Sequence, residues 1–246
     1  MNTTPTAHSN RGHGHHIGVL LLTDGGPFVP GDVRDASAYG YPVVFETVPG
    51  ADPSRVLAGD PDLTPAVVET AKSLERRGVR GISSDCGFFL NYQDAVRNAV
   101  RIPVALSALL QLPFVSSFLG RDRAIGLITG AAQGIGNRTL ALSGVPADRK
   151  VVVKGMQDQP EWIRQIKKRD GKPDYARLGR EAVGLARTMQ DENPDLGAII
   201  VTCSLLPMFS RDIQAATGVP VFDFVNLIDY VQSGARQRTY SGTYPA

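Results

Sequence analysis

The chain has 246 residues, 42% of them apolar, and a formal net charge of +2 from 26 basic and 24 acidic residues. That is enough sequence for one large α/β domain or two smaller lobes around a cleft. The balanced charge, with no basic block or basic-aromatic stripe, speaks against nucleic acid as a partner. The best apolar run, 104–119, is broken by Ser107, Gln111, Pro113, Ser116 and Ser117, which speaks against a membrane span.

Residues 1–16 (MNTTPTAHSNRGHGHH) hold all four histidines and show no periodicity, so they read as a disordered tail without a specific metal site. The tail lacks the basic start and long apolar stretch of a secretory signal. With two cysteines in a chain this long, a reducing, cytoplasmic setting is expected rather than a disulfide framework.

The elements then alternate. Strands are expected at 17–23 and 42–48, a helix at 64–78, a strand at 81–86, a helix at 91–100 and a strand at 102–105 before a further helix. A second series follows: a strand at 123–129, a helix at 133–143, a strand at 150–154, a long helix at 174–191, strands at 196–202 and 219–222, and a C-terminal helix. Strands alternating with helices predict parallel sheets covered on both faces.

The two series correspond. Cys86 and Cys203 are 117 residues apart, and so are Ile102-Pro103-Val104 and Val219-Pro220-Val221. A duplicated α/β unit explains this spacing. We expect a first lobe at 17–106, a second at 107–222 and a helix at 223–240 packing back on the first.

The stretch TGAAQGIG (129–136) follows a strand and resembles a dinucleotide fingerprint. Half the chain precedes it, no tyrosine has a lysine four residues later, and the next strand lacks a terminal acid. The turn therefore reads as an anion cradle or a plain tight turn; a nicotinamide-dependent oxidoreductase and a non-catalytic small-ligand binder are the alternatives from other classes.

Both cysteines, in Ser84-Asp85-Cys86-Gly87-Phe88 and Thr202-Cys203-Ser204-Leu205, end a strand at the edge where open α/β sheets bind ligands. A following helix N-terminus is expected to lower each thiol pKa. A thiol on either side of a carbon supplies an acid and a base to opposite faces.

This paired-cysteine repeat resembles the aspartate/glutamate racemase superfamily, which includes hydantoin racemase, maleate isomerase and arylmalonate decarboxylase. The resemblance covers roughly 17–230. It implies two pseudo-symmetric lobes, each a parallel sheet flanked by helices, with the active site between them. It also implies a cofactor-independent isomerase, a racemase or epimerase of amino acids or their derivatives, with Cys86 and Cys203 as acid and base next to a carboxylate or carbonyl. Cis-trans isomerisation of the maleate type and decarboxylation are the alternatives within the superfamily.

Substrate contacts are expected from Asp24, Gly87, Phe88, Thr129, Gly130 and Ser204. Gly87, Phe88 and Leu205 depart from the polar residues that glutamate racemases carry there, which makes glutamate a poor candidate. The expected partner is a small carboxylate; the oligomeric state, including a homo-oligomer, stays open.

Overall fold

Short runs rich in apolar and β-branched residues become parallel strands that alternate with helices, and the central strands are the buried ones. The computed structural model describes residues 16–23 and 29–237. Strands β1 (Ile17–Leu21), β2 (Val43–Thr47) and β3 (Gly81–Ser84) form one parallel sheet in the order β2-β1-β3. Strands β4 (Ala124–Thr129), β5 (Val151–Gly155), β6 (Leu196–Val201) and β7 (Val221–Phe222) form a second, in the order β5-β4-β6-β7.

The helices in chain order are α1 (Pro53–Ala58), α2 (Thr64–Arg76), α3 (Gln93–Ala99), α4 (Gln111–Phe118), α5 (Asn137–Ser143), α6 (Pro160–Trp162), α7 (Tyr175–Glu192), α8 (Ser210–Thr217) and α9 (Phe224–Ala235). A π-helical turn, Ile163–Lys167, continues α6. Among the described residues no helix is long and apolar enough to cross a membrane.

The duplication is written in the backbone. Asp85 N donates to Leu20 O (3.0 Å), and 117 residues on Thr202 N donates to Ile128 O (2.8 Å). Ile82 N meets Pro103 O and Ile199 N meets Pro220 O, both at 2.9 Å.

Three expectations change. The strand at 102–105 shrinks to one bridge, Ile82 with Val104, because Pro103 offers no N–H to a ladder. The helix from 133 begins only at Asn137: Ala132–Gly134 makes a 3-10 turn and Gly136 is extended, since glycines there weaken helix nucleation. His16 does not belong to a tail. It is 7% exposed, its backbone bonds Pro42 O and Arg80 N, and its ring lies 2.8 Å from Arg236 Nη1. Burial and two nearby arginines lower its pKa.

The sheets share a core. Ile17 and Val19 of β1 pack in one cluster with Ile125 and Leu127 of β4, Ala198 and Ile200 of β6, Leu112 of α4 and Phe224 of α9. Helix α9 leaves β7 and returns to the first sheet, where Val231 lies against Gly81 of β3.

Candidate active site

Every strand in each sheet is parallel, so all their carboxyl ends point to one edge, where chain crossing leaves room for a ligand. Cys86 follows β3 and heads a 3-10 turn, Gly87–Tyr92; Cys203 follows β6. Each cysteine carbonyl accepts from the amide three residues on, Phe89 N at 3.0 Å and Leu206 N at 3.1 Å. Both cysteines are free, and each residue is half-buried.

The two cysteine segments touch. A Cβ at Gly87 would lie 2.7 Å from Thr202 O, so only glycine lets these strand ends approach so closely. A Cβ at Gly130 would meet the Trp162 indole at 2.8 Å and Cys203 Sγ at 3.6 Å. One at Gly134 would strike Leu57 and Phe88, both at 2.5 Å. The glycine turn is thus packed onto the Cys86 segment by Phe88, and side chains fill the space that a pyrophosphate would use beside Gly134.

The structure therefore brings Cys86, Gly87, Phe88, Thr129, Gly130, Cys203 and Ser204 to adjoining strand ends. Thr129 is buried, and its Oγ1 sits 3.5 Å from Ala131 N. The Ser204 carbonyl accepts from Val33 N at 3.1 Å. Asp24 lies outside the described residues.

Three charged groups that the sequence reading passed over stand at this edge. Asp85 is buried and its carboxylate accepts from Leu22 N at 3.0 and 3.2 Å. Burial raises its pKa to about 7 against the pull of Arg34. Asp32, fully buried, grips Arg34 in a fork: Nε to Oδ1 at 3.1 Å and Nη2 to Oδ2 at 2.8 Å. Asp85 directly precedes Cys86 at the end of an apolar strand, an acid that burial alone makes conspicuous. Asp32 and Arg34 sit in a loop without periodicity, and only the fold brings them here.

These charges overturn the expectation of acidified thiols. Burial, with the Asp85 charge next, pushes Cys86 up to about 12. Burial, followed by Asp32 and Asp85 against Leu205 N and Arg34, pushes Cys203 up to about 11. The anticipated helix dipole is missing because neither cysteine heads an α-helix: each is followed by 3-10 turns. The site holds two weakly acidic thiols that become strong bases once deprotonated, beside a fixed cation and two carboxyls. Among the described residues no cluster of three His, Cys, Asp or Glu side chains is placed to hold a metal.

No family model matches the chain. Among curated proteins it is 33% identical over 226 residues to a dimethylsulfoniopropionate lyase of Durusdinium sp. clade D, covering 89% of this chain and 74% of the relative. Dimethylsulfoniopropionate lyase 7 of Emiliania huxleyi is 30% identical over 220 residues, 85% of this chain and 64% of the relative. Among solved structures, allantoin racemase from Pseudomonas fluorescens superposes with a TM-score of 0.63 at 15% identity, covering 89% of each chain. A point mutant of arylmalonate decarboxylase in its sulfate-associated form gives 0.62 at 17%, covering 89% of this chain and 94% of that one. The aspartate/glutamate racemase fold is thereby shown.

Proposed function

The chain belongs to the dimethylsulfoniopropionate lyase family, and on that premise we propose that it is a lyase that eliminates dimethyl sulfide from dimethylsulfoniopropionate. A cysteine thiolate removes a proton from the carbon next to the carboxylate. The C–H electron pair forms the C=C bond, and the C–S pair leaves with sulfur. The products are acrylate, neutral dimethyl sulfide and a protonated thiol, which returns its proton to solvent. The step is redox-neutral and asks for no cofactor.

One observation supports the reading most: two cysteines at equivalent strand ends, on segments that touch, each with a thiol raised by burial. The same first half-reaction, removal of a proton next to a carboxylate, serves a racemase, a decarboxylase and a lyase; the leaving group decides the outcome. The substrate's sulfonium also answers the electrostatics. Its positive charge, brought beside thiols held high by burial and acidic neighbours, lowers their pKa and generates the base on binding. A singly anionic substrate would do the opposite.

Cys203 is assigned as the base for this step, because its Sγ adjoins the Gly130 turn where the carboxylate would be held. Backbone amides around Gly87, Gly130 and Ser204, with the Thr129 hydroxyl, hold the carboxylate, and Phe88 supplies an apolar wall. The retention of both cysteines favours one second reading, two-sided proton transfer by a racemase or isomerase.

Headspace chromatography of the purified protein with dimethylsulfoniopropionate tests the proposal. Equal amounts of dimethyl sulfide and acrylate are expected. A folded protein with alkylatable thiols that releases neither, yet exchanges α-protons of a chiral carboxylic acid into deuterated water, would establish the racemase reading instead.

A further inference from the structure

Tyr175 opens α7 and has a buried hydroxyl with no hydrogen-bond partner among the described residues. The other buried or half-buried tyrosines among the described residues are satisfied. Tyr39 donates to Val33 O at 2.7 Å, Tyr41 to Asp229 Oδ1 at 2.6 Å and Tyr92 to Asp60 O at 3.0 Å. A buried phenol ordinarily finds a partner, and phenylalanine would fill the same space without leaving a polar atom dry.

Its surroundings say what is missing. The ring packs on the cluster that holds Trp162, Leu178, Leu206 and Phe209, against which Cys203 also packs. The charges that its hydroxyl senses are Asp32 and Arg34, the fork beside the thiols. Asp32 Oδ1 accepts from Arg34 N at 2.9 Å and Nε at 3.1 Å and its Oδ2 from Nη2 at 2.8 Å, and neither oxygen accepts from the phenol. No described residue supplies the acceptor that the phenol lacks, and a charged oxygen such as a carboxylate makes the stronger bond to such a donor.

The position is also held firmly. Asp174 caps α7 by accepting from Arg177 N at 2.9 Å, and Asp174 N donates to Glu161 Oε1 at 2.9 Å. Glu161 is 1% exposed and ion-paired to Arg164. A preset donor of this kind orders a ligand with little entropy cost.

We propose that Tyr175 is a substrate-binding residue whose hydroxyl donates a hydrogen bond to the substrate carboxylate, next to the charge of Arg34. The identity of the substrate rests on the elimination reading; the anion-binding role of Tyr175 does not. Burial keeps the phenol protonated at neutral pH, so it acts as a donor.

Tyr175→Phe removes only the hydroxyl. Loss of a hydrogen bond to a charged group predicts a rise in KM for dimethylsulfoniopropionate of roughly tenfold to a hundredfold, with kcat changed far less. Binding of acrylate, measured by calorimetry, should weaken by a similar factor, and binding of neutral acrylamide should not change. The melting temperature should hold or rise, because a dry hydroxyl is removed. Unchanged acrylate affinity, or a melting temperature several degrees lower with unchanged KM, would overturn the proposal by assigning the tyrosine a structural role. If the wild-type protein releases no dimethyl sulfide but Tyr175→Phe still weakens acrylate alone, the elimination reading falls and the assignment of Tyr175 stands.

Discussion

At the cysteines, four influences decide how readily a thiolate forms: burial raises the cost at both, Asp85 adds to it at both and Asp32 at Cys203, and Arg34 opposes them. Replacing Cys203 by Ser should lower dimethyl sulfide release by at least about a thousandfold, because an alcohol supplies almost no base at neutral pH. Cys86→Ser should cost far less, since elimination needs a base on one face only. Equal and complete loss from both replacements would favour two-sided transfer. With Cys203 near 11, kcat/KM should climb with pH across 7–9, and kcat should rise at lower pH because bound sulfonium favours the thiolate. Asp85→Asn removes a negative charge from both thiols and should shift both profiles toward lower pH. The same residue governs stability. With its folded pKa raised to about 7, well above the ordinary carboxylate range, the native chain keeps a proton that the unfolded chain has released. By linkage, stability therefore falls as pH rises through that window. Urea titrations at pH 5 and pH 8 should show this fall in the wild type and a smaller one in Asp85→Asn.

Among the elements, the junction of the two cysteine-bearing segments carries the most consequence. The segment after β3 reaches the segment after β6 only because position 87 has no side chain. Gly87→Ala would set a methyl group against a backbone carbonyl that cannot rotate away. It should cost about 1–3 kcal/mol, and it should move one thiol relative to the other. The expected reading is a lower melting temperature together with a fall in kcat larger than the loss of folded protein explains. Retained kcat in a destabilised protein would mean that the spacing of the two segments does not matter to the chemistry. The glycine turn 129–136 illustrates the same principle. Its glycines serve close packing of Phe88 and Trp162 beside the cysteines, which is why a fingerprint that reads as phosphate binding in isolation has another use here.

For the whole molecule, the shared core matters most. Strands β1, β4 and β6 and helices α4 and α9 bury side chains in one cluster, so neither half of the repeat completes its core alone. The two halves should unfold together. Phe224→Ala, at a fully buried position on α9, should cost about 3–5 kcal/mol. Fluorescence of Trp162, the single tryptophan and a residue of the second half, should report the same midpoint as far-ultraviolet circular dichroism. Separate midpoints would show that the lobes are independent units.

Much of this was legible in the amino-acid order. Unbroken apolar runs marked the strands, the 117-residue spacing marked the duplication, and Cys86 and Cys203 stood at its equivalent strand ends. These features are local or periodic, and periodicity survives in a one-dimensional string. What the string could not carry was the environment of those thiols. Asp32 and Arg34 reach them from a loop, and Tyr175 reaches the same charges from the start of a helix almost ninety positions after Cys86. His16 left an apparently featureless tail because Arg236, at the far end of the chain, packs against it. Burial and through-space charge are properties of folded neighbours. The amino-acid order therefore singled out the two cysteines, while only the tertiary structure decided that their thiols are reluctant acids, which charges hold them so, and which buried hydroxyl is left without a partner.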